Sequence, residues 1–114
     1  MLTENIIKGI QEKKGREIKQ LNFKKIFNSI CDYFIICEGT SNIQVQAIAD
    51  SVEEVVFKAT GEKPIHKEGF QIAEWIILDY FNVVVHIFQK DKRSFYNIED
   101  LWADADMKNI DVNY

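Results

Sequence analysis

Proline appears once, cysteine twice and glycine five times in 114 residues. No apolar run approaches the roughly 20 residues that a membrane span needs. So little proline and glycine leaves no linker or low-complexity tract, and no repeat is visible. A chain of this length has room for one core, so residues 1–114 are read as a single domain. Two cysteines are too few for a zinc site or a secreted disulfide scaffold. Cys31 and Cys37, on one extended strand, would lie roughly 20 Å apart, too far for a disulfide within it. They are expected to be small buried hydrophobes in a reducing compartment.

A basic surplus is missing too. The formal charge is −4 and the pI about 5.2, whereas nucleic-acid binders usually carry a positive stripe. The clusters Lys13-Lys14 with Arg16, Lys24-Lys25, and Lys90 with Lys92-Arg93 sit among acids and polar residues and read as solvated faces. No dedicated nucleic-acid site is expected, and an acidic chain suits a basic protein partner. The opening MLTENIIKGIQEKKGR lacks the charged-apolar-small order of a signal peptide and carries acids that transit peptides avoid. The expected compartment is the cytoplasm.

The patterns present are those of an α/β fold with a mixed sheet packed by helices. Thr3 is placed to cap a first helix with Ile6, Ile7 and Ile10 on one face, ending near Gly15. Residues 16–23 read as a short strand, and 24–29 as a connector. CDYFIICEG (31–39) is apolar on both faces, so it belongs inside the sheet. Residues 42–60 form the strongest helix. Ser41 and Gln44 make an S-x-x-Q capping box, Val45, Ile48, Val52, Val55 and Ala59 make one stripe, and Gly61 ends it.

AEWIILDY (73–80) and VVVHIFQ (83–89) alternate as a hairpin. Pairing Tyr80 with Val83, Leu78 with Val85 and Ile76 with Ile87 puts one apolar face on the core helix. The other face carries Trp75 beside Phe88, Ile77 beside His86, and Asp79 beside Val84. A binding surface suits this mixture of aromatics, carboxylate and imidazole better than a covered core does. Phe81 is a poor residue for the positive φ of a tight turn. DKRS reads as a turn, 95–103 as a last helix, and 106–114 as a loose polar tail.

FIICEGTSN (34–42) poses the question of catalysis. A strand ending in glycine before a capped helix can hold an anion. No lysine follows Gly39, so this is not a Walker A loop, and the three glycines of a dinucleotide fingerprint are absent. Nucleotidyl transfer needs carboxylates converging on metal ions. The strands after Gly39 offer Asp79 and the edge residue Glu74. Asp104 and Asp106 match Asp-x-Asp by letters but lie beyond the final helix. His66, His86, Glu68 and Asp79 have no spacing that predicts a metal site. A capped turn is the simpler reading, with no cofactor. A nucleotide-binding or nucleotidyl-transferring enzyme is the alternative.

Three segments together, DYFIICEGTSNIQVQAIADSVEE (32–54), HKEGFQIAEWIILDYFNVVVHIF (66–88) and RSFYNIEDLWADA (93–105), resemble the ribosomal silencing factor, or Iojap, family. The resemblance spans about residues 3–105. It implies a domain like the nucleotidyltransferase fold without its active site, and a protein that is not an enzyme. It further implies binding to the large ribosomal subunit through ribosomal protein L-fourteen, obstruction of subunit joining, and repression of translation when nutrients are short. Carried over by motif, the W-x-x-L-D-Y strand makes the contact through Trp75, Leu78, Asp79 and Tyr80; His86 and Phe88 join them on geometry. The family usually has a small residue, commonly glycine, where this chain has Phe81. Members can form homodimers.

Overall fold

A computed structural model describes residues 2–26 and 31–114. The elements are α1 (Leu2–Glu12), β1 (Arg16–Asn22), β2 (Tyr33–Gly39), α2 (Asn42–Thr60), β3 (His66–Glu68), β4 (Trp75–Asp79), β5 (Val83–Gln89), α3 (Lys90–Tyr96), α4 (Ile98–Leu101) and β6 (Asp106–Ile110). The six strands form one mixed sheet in the order β3-β4-β5-β2-β1-β6. Neighbours run antiparallel except β2 and β5, which are parallel. The expected α/β fold with a mixed sheet is observed. The connector expected over 24–29 lies partly outside the described residues.

β2 is interior, as its two apolar faces require. Ile35 and Cys37 enter the core under α1 and α2, while Phe34 and Ile36 enter a second core on the opposite face. Both cysteines are buried free thiols. The α2 stripe is Val45, Ile48, Ala49, Val52 and Val56. The expected Val55 and Ala59 are half-buried and exposed instead, because the core-facing line runs through 45, 49, 52 and 56 at the 3.6-residue period. α1 begins at Leu2, so Thr3 lies inside the helix and does not cap it. Gly9 lets α1 approach α2 closely: a Cβ there would lie 2.7 Å from Val52 Cα, and Ser51 Oγ donates to the Gly9 carbonyl at 2.8 Å.

Two expectations near the C-terminus are corrected. DKRS is part of α3, and 95–103 is broken at Asn97, whose φ of 47° ends α3 before the single turn of α4. Residues 106–110 are not loose but form β6, an edge strand paired with β1. Ile110 and Val112 pack on the main core, and the Tyr114 hydroxyl donates to the Gly15 carbonyl. β6 is held by backbone bonding, so a polar sequence suffices for it.

Candidate functional site

The β4–β5 hairpin has the register that its alternation predicts, with Trp75 opposite Phe88, Ile77 opposite His86 and Asp79 opposite Val84. β3 adds His66 opposite Asp79 and Glu68 opposite Ile77. Directly opposed residues share a face, so His66, Glu68, Trp75, Ile77, Asp79 and Val84 form the outer surface of this end of the sheet. The turn Phe70–Ala73 fixes where β4 begins. Gln46 Nε2 donates to the Phe70 carbonyl at 2.8 Å, and Gln89 N–H to the Glu74 carbonyl at 2.9 Å.

The six residues expected at the site do not lie together in solvent. Trp75 and Asp79 are half-buried and reach the surface, whereas Leu78 and Tyr80 are buried on the helix-covered face. Burial, with Glu53 and Glu62 nearby, pushes the Tyr80 hydroxyl well above its ordinary pKa. His86 and Phe88 are on the outer side but buried. The covered core that the mixed composition argued against does exist: it contains Leu21, Phe23, Phe34, Ile36, Phe88 and Ile98. Ile98 of α4, with Trp102 and Ala105 after it, covers this core, and Tyr96 at the end of α3 packs on Trp75 and Phe88; the start of α3 was hidden where DKRS read as a turn.

The Trp75 indole lies between Phe88, at 4.9 Å between ring centroids, and Tyr96, at 4.7 Å. Its Nε1–H donates to His86 Nδ1 at 3.1 Å. That bond requires a bare Nδ1, so neutral His86 carries its proton on Nε2. Among the described residues His86 Nε2 is buried without a partner. Burial lowers the His86 pKa to about 4. The result is a half-buried tryptophan held in one orientation.

At the strand end, Asp79 Oδ1 accepts from the Phe81 N–H at 2.8 Å. Phe81 adopts φ 75° and is 71% exposed. Sequence reasoning marked its turn as doubtful; the two-residue loop forms nevertheless. Phe95, Tyr96 and Leu101, read on the last helix but not assigned to the site, are all exposed on α3 and α4. The signal was an apolar residue excess in a segment too short to bury it all.

The EGTS turn is a helix cap. Ser41 Oγ accepts from the Gln44 N–H at 3.1 Å. The Gln44 side chain returns to Thr40, not to Ser41 as a regular capping box would have it, accepting from the Thr40 N–H at 2.7 Å and hydroxyl at 3.0 Å. Glu38 is tied to Arg93, whose Nη1 donates to it at 3.1 Å and to the Glu17 carbonyl at 2.6 Å. Arg93 Nε donates to Glu99 at 2.8 Å, and Lys19 lies 3.3 Å from Glu99. Burial alone would raise the Glu99 pKa, but Arg93 and then Lys19 hold it below the ordinary range. This cluster pins α3 across the strand ends. Among the described residues no three His, Cys, Asp or Glu side chains gather as metal ligands.

Comparison with known proteins follows the same lines. The family model described as "Ribosomal silencing factor during starvation" matches residues 1–114. The ribosomal silencing factor of Halalkalibacterium halodurans is 40% identical over 104 residues, covering 91% of this chain and 87% of that protein. The one from Bacillus subtilis is 41% identical over 100 residues, covering 88% and 83%. A crystal structure of a Chromobacterium violaceum protein superposes with a TM-score of 0.82 at 34% identity, covering 90% of this chain and 83% of that one. One from Bacillus halodurans gives 0.80 at 36%, covering 97% of each. The chain belongs to the ribosomal silencing factor family.

Proposed function

We propose that this protein binds the large ribosomal subunit through ribosomal protein L-fourteen, and that the bound protein stands in the way of the small subunit. Translation is thereby repressed when nutrients are short. The protein acts by occupancy and not by catalysis, in the cytoplasm. The observation that carries this reading is the outer face of β4. It presents an oriented, half-exposed Trp75 and the carboxylate of Asp79 on an acidic chain. An aromatic anchor beside a carboxylate suits a basic protein surface, and Trp is enriched among residues that dominate protein–protein affinity.

In this reading Trp75 and Asp79 touch the partner. Leu78 and Tyr80 hold β4 onto α2, while His86 and Phe88 hold the indole from beneath. Sedimentation with isolated large and small subunits tests it. Comigration with the large subunit alone, lost in Trp75→Ala and Asp79→Arg variants that stay folded, is the expected result. Absence of comigration by the wild type would overturn the reading. Undiminished binding by both folded variants would overturn the face.

A further inference from the structure

Phe81 is an expensive residue for its position. Its φ of 75° lies where glycine or asparagine enters easily and a bulky side chain does not. Asn82 N–H donates to the Tyr80 carbonyl at 2.9 Å, closing a three-residue turn of the rare positive-φ kind. Among the described residues the fold makes no use of the ring in return. It is 71% exposed, belongs to neither core cluster, and stacks on no aromatic ring among the described residues.

The tip that carries it is nonetheless held firmly. The Asn82 carbonyl accepts from the backbone N–H of Asp32 at 2.9 Å and of Tyr33 at 3.1 Å. Asp79 Oδ1 fixes the Phe81 N–H. Trp75, Ile77, Asp79 and Phe81 follow one another at two-residue spacing, and each reaches solvent. Asp79 and Asp32 flank the tip; the nearby Lys24 lies over the Tyr33 ring at 5.1 Å.

We infer that Phe81 is a second docking anchor, set for an apolar recess rimmed by lysine or arginine on the same basic protein that Trp75 and Asp79 meet. This rests on the proposed function. It adds that affinity and specificity in this chain depend on a residue whose backbone geometry favours glycine. A rigid tip presents the ring without an ordering cost at binding.

The test compares wild type, Phe81→Gly, Phe81→Asn, Phe81→Tyr and Trp75→Ala in quantitative binding to isolated large subunits, with thermal melting and sedimentation velocity of each. Phe81→Gly and Phe81→Asn are expected to bind about tenfold more weakly while melting at or above the wild-type temperature, and Phe81→Tyr to keep its affinity. Wild-type affinity in the Gly and Asn variants, with Trp75→Ala impaired, would overturn this inference and leave the proposed function standing. No binding by the wild type would remove both. Subunit binding unchanged while self-association is lost would make the occupant a second copy of this chain and overturn the assignment.

Discussion

Trp75 Nε1 donates to His86 Nδ1 across the β4–β5 pair, joining a half-exposed indole to a buried imidazole. The bond serves orientation: it directs the Nε1 edge of the indole at the buried imidazole. His86→Leu, close in volume, should cost about 1–2 kcal/mol of stability. It should also release the indole. In a Trp102→Phe background, Trp75 emission should shift and large-subunit affinity should fall while the circular dichroism holds. Unaltered emission would show that packing against Phe88 and Tyr96 orients Trp75 without help.

The same pair sets an acid limit. The His86 pKa is about 4 folded against an ordinary 6.5, so the folded state prefers it neutral. Its contribution is whole above pH 6.5 and declines as pH falls toward 4. The total loss is about 3 kcal/mol, at roughly 1.4 kcal/mol per pH unit. Denaturant titrations between pH 7 and 4 should show that slope, and His86→Leu should flatten it.

Asp79 has two jobs that one substitution can separate. Asp79→Asn keeps an oxygen for the Phe81 N–H but removes the charge, so stability should change by less than about 0.5 kcal/mol while large-subunit binding weakens severalfold. Asp79→Ala loses both and should also destabilise the hairpin by about 1 kcal/mol. Equal binding by Asn and wild type would assign Asp79 to the turn alone.

Arg93 is a buried cation that joins Glu38, Glu99 and the Glu17 carbonyl. Arg93→Met leaves Glu38 buried and unpaired, which should cost about 3–5 kcal/mol. Arg93→Lys cannot reproduce the fork of donors and should recover only part of that. Because Glu99 is held below its ordinary range, its share of stability is present at neutral pH and lost as pH falls through the acid range. Urea unfolding of both variants measures this.

Gly9 is where the two core helices meet. Gly9→Ala would set a methyl 2.7 Å from Val52 Cα and push the helices apart. A loss of about 1–3 kcal/mol is expected despite alanine's better helix propensity. A gain in melting temperature would show that the α1–α2 contact has slack.

The hairpin was legible because Ile76, Leu78, Tyr80, Val83, Val85 and Ile87 form one unbroken apolar face. A slip of one residue between the strands would turn one strand's three outward, which outweighs the unfavourable φ at Phe81. The capped start of α2 was legible from Ser41 for a similarly local reason. What covers a face is not local. Trp75, His86 and Phe88 were correctly grouped on one face, but part of what covers that face is α3, whose Tyr96 packs on Trp75 and Phe88. That helix hides its register because its buried residue is a charged one, Arg93. β6 was illegible because Asp106–Ile110 keeps little side-chain surface in the core. Its pairing is made through the backbone, which leaves no mark in hydropathy. The site suffered most, since exposure is decided by whichever distant segment arrives on top.

The pairing of β6 with β1 sets an order of events during synthesis. Residues 16–22 leave the ribosome early and pair with β2 on one side; their other side waits for residues 106–110. For most of its own translation, then, the nascent chain carries an open strand edge that nothing upstream can close. A transcript broken or a ribosome stalled before codon 106 would release a nearly complete core with that edge bare, a species prone to pair with its own kind.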